Sequence, residues 1–182
     1  MITLMKMHNS VFDWLDRKAG FILPTLARFT FAAVLVMYFW RSAWTKLGDG
    51  PFGLFSLSDG AYAQIFPRAM EAVGYDSSQL GFFHWMVALA GTWAEFILPA
   101  LIVVGLFSRL AAIGLIGFVF VQSATDIVGH GATDEKTLGG WFNGIPDSVI
   151  LDQRLLWITV LAIIVVKGAG PLSADRLTGR LS

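Results

Sequence analysis

FFHWMVALAGTWAEFILPALIVVGLFSRLAAIGLIGFVFVQSATDIV, residues 82–128, is the stretch that decides the fold. It holds two apolar runs, Phe82 to Leu106 and Leu110 to Val128, each near the roughly 20 residues that a helix needs to cross the hydrocarbon of a bilayer. Ser108 and Arg109 make a tight turn between them, so the second run returns beside the first. Hydrocarbon offers the backbone no hydrogen-bond partner, and a helix satisfies its own N–H and C=O groups. The reading is a pair of antiparallel membrane helices, with Gly114 and Gly117 offering close contact and Pro99 predicting a kink.

Working outward, FILPTLARFTFAAVLVMYFW (Phe21–Trp40) is a further span, with Pro24 in its opening turn and Arg28 inside the apolar run. Leu155 to Val166 is short, and reaches spanning length when Leu151–Arg154 and Lys167–Gly170 extend it with snorkelling Arg and Lys side chains. The expected architecture is all-α: one integral membrane domain over residues 1–182, a four-helix bundle with spans near 21–40, 82–106, 110–128 and 152–168. The first loop, GDGPFGLFSLSDGAYAQIFPRAMEAVGYDSSQ, places turns around an apolar stretch near Ala61 to Ala72, which reads as an interfacial helix. The third, GHGATDEKTLGGWFNGIPDS, is glycine-rich, acidic and without periodicity, hence solvated. The lead-in, MITLMKMHNSVFDWLDRK, is amphipathic and lacks the apolar core of a signal peptide, so the first span serves as an uncleaved insertion signal.

Composition agrees, since 55% of the 182 residues are hydrophobic and 14% charged, against about a quarter charged in soluble domains. Thirteen basic and 13 acidic residues cancel, which leaves no basic field for nucleic acid. The absence of cysteine excludes disulfides, thiol relays, covalent c-type haem and cysteine-held iron–sulfur clusters. Redox chemistry would therefore need a bound molecule or a partner protein. Lys6, Arg17, Lys18, Arg109, Lys167, Arg176 and Arg180 on one side outnumber Arg41, Lys46, Arg68, Lys136 and Arg154 on the other, which places both termini in the cytoplasm.

The segment AEFILPALIVVGLFSRLAAIGLIGFVF resembles the central signature of the DoxX family, an intramembrane glutamate before a Gly-Leu-x-[Ser/Thr]-Arg turn, here Glu95, Gly105, Leu106, Ser108 and Arg109. Arg28 and the pair Lys46-Leu47 resemble the family's first helix, and KGAGPLSADRL its Gly-Pro-x-x-Ser-x-Asp close. The resemblance implies four helices in a bacterial inner membrane. By analogy with relatives that form the membrane subunit of thiosulfate:quinone oxidoreductase, it also implies a link to quinones.

Two groups of residues are candidates for chemistry. Arg28 and Glu95 lie within spans where an unpaired charge costs at least about 2.5 to 3.5 kcal/mol. Measured from their helix ends they sit roughly 10 and 16 Å from one face, so the two long side chains can meet. Glu95 is then either a proton donor or acceptor beside a quinone headgroup, or half of an ion pair that fixes helix register. The second group, Arg41, His84, Asp126, His130, Asp152 and Arg154, gathers at helix ends on the opposite face, with Gln122 one turn before Asp126. Gln122, Asp126 and His130 follow at intervals of four and form a column on one helical line if the helix persists past Gly129. The group reads as a salt-bridged cap, as the mouth of a small-molecule site, or, with His84, Asp126 and His130, as a metal site.

Trp14, Trp40, Trp44, Trp85, Trp141 and Trp157 fall near expected helix ends, as in an aromatic belt, whereas Trp93 lies two residues before Glu95 and either stacks on a flat ring or packs on a helix. Two functions fit: a quinone-linked subunit working with a redox partner protein, or a noncatalytic anchor, assembly factor or small-molecule conduit. A homo-oligomer is compatible with either.

Overall fold

The computed structural model describes residues 2–179 and is helical, with one isolated β-bridge between Leu47 and Leu57. Helix α1 (Ile2–Val34) continues almost straight into α2 (Val36–Trp44), since Leu35 N–H still donates to Phe31 O and Phe39 N–H to Leu35 O. Two short helices follow, α3 (Asp59–Ile65) and α4 (Pro67–Ala72). Then come α5 (Phe82–Val104), α6 (Ser108–Ala124), α7 (Arg154–Lys167) and a final turn α8 (Ala174–Leu177). A π-helical turn, Thr125–Gly129, prolongs α6, and another, Val149–Gln153, leads into α7. Four stretches are long and apolar enough to cross a membrane: Met5–Trp44, Phe82–Val104, Ser108–Gly129 and Val149–Lys167. The chain is a multi-pass membrane protein built as an all-α bundle.

The core lies where α1, α2, α5, α6 and α7 meet. Phe31, Phe39, Ile102, Leu115, Leu161 and Ile164 are fully buried there, and Phe39 sets its ring edge against Phe118 and Trp157 at 6.0 and 6.3 Å. A smaller core forms under the first loop, where Leu57, Ala61, Tyr62 and Met70 pack on Ala88 and Trp85 of α5. The helix expected in that loop is thus present, divided at Phe66 because Pro67 starts a new helix, and it stands against the outer half of α5. Burial, and then the nearby Asp59 carboxylate, push the Tyr62 phenol above its ordinary range. The loop between α6 and α7 is mostly exposed yet ordered: the Asp134 carboxylate accepts from Thr137 N–H at 2.9 Å, hydrogen bonding by Thr137 holds that carboxylate below the usual range, and Trp141 Nε1 donates to Leu151 O at 3.1 Å.

Both ends of the bundle's chain arrive at one face, here the terminal face; the loop face is opposite. Arg28 organises the terminal face. Its Nε donates to Ile102 O at 3.0 Å and its Nη2 to Val103 O at 2.5 Å, at the end of α5, while Nη1 reaches Ala169 O at 3.0 Å and Leu172 O beyond α7. These are carbonyls that a helix end leaves without partners, and a cation there also meets the negative end of the helix dipole. The sequence spacing places Arg28 roughly 10 Å into the membrane and Pro24 in an opening turn. In the structure α1 begins some twenty residues earlier, Pro24 is inside it and buried against Gly170, and Arg28 stands level with the helix ends. Residues 5–18 lie exposed beyond that level.

The α5–α6 turn is closed from outside. Gly105 takes φ +76°, and a Cβ there would fall 2.6 Å from that of Ser173, so the C-terminal segment can lie directly on the turn. Asp175, buried, accepts from the backbone N–H of Phe107 at 2.8 Å and of Ser108 at 3.1 Å, and its own N–H donates to Gly105 O. The carboxylate thereby caps α6 in place of a residue preceding it. Asp175→Ala is expected to cost about 1–2 kcal/mol, and Asp175→Asn less, read as loss of thermal stability in detergent.

Candidate functional site

A cavity of about 480 Å³ opens between α5 and α6 and is closed on its other sides by the end of α2 and by α3. Its walls are mainly apolar, with Val87, Ala94 and Leu98 of α5 facing Gly114, Phe118 and Val121 of α6. Polar groups are confined to two places. This is the composition of small-molecule sites, an apolar volume with a few fixed polar atoms.

The first polar group is a buried ion pair. Lys46 Nζ donates to Glu95 Oε2 at 2.7 Å, and both residues are almost inaccessible, at 4% and 2%. Ser42 joins them: its hydroxyl accepts from Lys46 Nζ at 2.6 Å and donates to Glu95 Oε1 at 2.9 Å. A longer bond, 3.3 Å, runs from Lys46 Nζ to Ser42 O. Ser42 and Lys46 meet because they are one turn apart at the end of α2. Pro99, one turn after Glu95, has no N–H to return to the Glu95 carbonyl. Trp40 Nε1 donates instead to the next carbonyl, Phe96 O, at 3.3 Å, and so ties α2 to α5 beside the pair.

The second group lies towards the loop face. Gln122, Asp126 and His130 all line the cavity, so the column expected from their spacing forms, although the helix carries it past Gly129 by a π-helical turn in which His130 N–H bonds Thr125 O. Such turns are frequent at functional sites. Asp126 is held by Arg154 Nη2, whose Nη1 donates to Ser123 Oγ at 2.8 Å. His130 Nε2 lies 3.0 Å from Gln64 O, so the ring donates there and ties α6 to α3 across the cavity mouth. Gly129 is needed below that bond, because a Cβ would sit 2.8 Å from Pro67 Cγ. Gln122 Nε2 donates to Tyr38 Oη at 2.7 Å, while its Oε1 is buried with no partner among the described residues.

Several sequence expectations change. Arg28 and Glu95 do not pair; the partner is Lys46, which the sequence places at the exit of the first span. The proposed metal set does not assemble: among the described residues no three His, Cys, Asp or Glu could hold a metal ion. The reason is that Asp126 is engaged by Arg154, His130 by Gln64 O, and His84 lies outside the cavity against Phe66 and Phe83, at ring distances of 4.9 and 5.9 Å. Arg41 is exposed and does not line the cavity, and neither does Trp93, whose Nε1 donates to Leu54 O at 3.2 Å and whose ring packs on Phe55. Arg154 serves the site through Asp126. Ser42, Lys46 and Gln64 were missed. The i, i+4 spacing of Ser42 and Lys46 at the close of an apolar run was the available signal.

The DoxX family model matches residues 23–130, more than half of the chain, and this segment includes every residue of the cavity. The chain belongs to the DoxX family. No curated protein and no solved structure matches it. The C-terminal quarter of this DoxX protein, outside the matched segment, supplies Arg154 and Asp175, which brace Asp126 and the α5–α6 turn.

Removing one member of the ion pair leaves the other buried and uncompensated. Lys46→Ala is expected to destabilise the protein by about 3–5 kcal/mol, whereas Lys46→Met combined with Glu95→Leu should lose much less. Unfolding in a single detergent, compared across the double-mutant cycle, reads the difference.

Proposed function

We propose that this protein is a quinone-binding subunit of a bacterial inner-membrane redox system, working with a partner protein that carries the electrons a cysteine-free chain cannot store. The observation that supports this most is the Ser42–Lys46–Glu95 network on the wall of an apolar cavity inside the bundle. A quinone carbonyl needs a donor, and Lys46 can supply one by giving up its longest bond, the 3.3 Å contact to Ser42 O. A quinol hydroxyl needs an acceptor and a route for its proton, and the Glu95 carboxylate is both. The Gln122 amide oxygen, without a partner among the described residues, is a second acceptor near the other end of the cavity. Orientation follows the positive-inside rule with the terminal face cytoplasmic. The bias is stronger than the bare counts, because Lys46 and Arg154 are consumed in ion pairs within the bundle.

One observation favours the alternative, a noncatalytic anchor or conduit: the three Lys46 donors and both Glu95 oxygens are already satisfied by the protein. Binding of a short-tailed ubiquinone analogue to the protein in defined-lipid nanodiscs separates the readings. Saturable binding is expected, weakened about tenfold by Glu95→Gln, the effect of one charge-assisted hydrogen bond of about 1.5 kcal/mol. Lack of saturation in a folded sample would leave the anchor or conduit.

A further inference from the structure

The cavity has an open side, and its position determines what lies outside it. Ala90, Gly114 and Val121 line the cavity and are exposed, Val121 at 67%. Ala90 is eight residues into α5 and Val121 eight residues before the end of the third span at Gly129, so by helical rise both stand roughly 12 Å inside the same, loop-face end. An opening at that depth between two membrane-spanning helices gives onto hydrocarbon and not onto water. It exists because α5 offers nothing larger than a methyl at Ala90, Gly91 and Ala94. The margins are filled: a Cβ on Gly114 would lie 3.2 Å from Leu98 Cδ1, and one on Gly91 3.8 Å from Ile65 Cδ1.

At the other extreme the aqueous mouth is bridged by the His130 bond to Gln64 O and by the contact of Gly129 with Pro67. The side open to lipid is therefore the easier route for an apolar body. The cavity is also long, running along α6 from Gly114 to His130, roughly 24 Å of helical rise, with its charged pair on an inner wall. A planar headgroup occupies only part of such a slot.

We infer that the gap between Ala90 and Val121 is a lateral portal. Through it a ligand with a polar head and a hydrocarbon tail enters from the bilayer, places its head at the Lys46–Glu95 pair and leaves its tail in the portal. This rests on the quinone reading above and narrows it to long-tailed, membrane-dissolved quinones, with Ala90 and Val121 as the residues that determine tail acceptance. Neither residue touches the headgroup network.

The test compares a ubiquinone bearing a long polyprenyl tail with the short-tailed analogue, each titrated into nanodiscs of wild type, Ala90→Phe and Val121→Trp. Both substitutions should raise the Kd of the long-tailed quinone about tenfold or more, an effect that two buried methylenes already account for, and should leave the short-tailed one within about twofold. Ala90 is exposed, so its replacement does not depend on repacking the core. Equal losses for both quinones, or no change for either, would overturn the portal while keeping the headgroup site. If neither quinone binds the wild type, the headgroup reading fails and a second measurement decides the portal alone. Because the chain has no cysteine, a nitroxide can be attached at Ala94→Cys. Relaxation by dissolved oxygen, which partitions into lipid, is expected to exceed relaxation by a water-soluble nickel chelate, and the reverse would overturn the portal.

Discussion

Lys46 and Glu95 are two charges removed from water inside an apolar bundle, and each is tolerable only because the other is within hydrogen-bonding distance. That requirement governs much of the surrounding architecture. The end of α2 must reach the middle of α5, which brings the first helix to a stop well short of the loop face. The vacant outer half of α5 is then covered by α3 and α4, whose Leu57, Ala61 and Met70 pack on Ala88. A cavity is left between these parts, with the ion pair in its wall. Replacing the pair with hydrocarbon would remove the desolvation penalty, but it would also remove the charged groups on the α2 side of the cavity.

The terminal face is built on a different principle. Helix ends expose carbonyls and N–H groups that lipid and packed side chains cannot satisfy. Arg28 collects carbonyls from the end of α5 and from the segment after α7, and Asp175 takes the N–H groups at the start of α6. One cation and one anion, more than a hundred residues apart in sequence, thus close three helix ends. The segment after α7 acts as a clasp, and glycines at 105 and 170 admit it by removing side chains at the points of closest approach. Charges in this membrane protein therefore have two separate uses, one at the helix ends and one beside the cavity.

Between the faces, small residues have effects opposite in kind. Gly129 lets two elements touch, and the contact narrows the cavity mouth, whereas Ala90 and Ala94 leave the space beside α6 unfilled. The same absence of side-chain volume gives contact where backbones converge and a gap where they do not. Backbone direction alone distinguishes the cases.

That distinction marks the boundary of what the sequence by itself determined. The lengths of the apolar runs and the lack of internal hydrogen-bonding solvent settle four membrane helices and an all-α bundle, and the Glu95 and Gly-Leu-x-Ser-Arg pattern points to the family. The column of Gln122, Asp126 and His130 was legible too, because a helical repeat is a local property. Partners across the bundle were not. Depth along a membrane normal brought Arg28 and Glu95 together on paper, but pairing depends on how each helix is rotated and shifted against its neighbour, which packing of Phe31, Phe39, Leu115 and Leu161 decides. Only the tertiary structure gave Glu95 to Lys46, Arg28 to backbone carbonyls and His130 to Gln64, since contacts between distant segments are set by the summed packing of the whole chain and not by any one stretch of it.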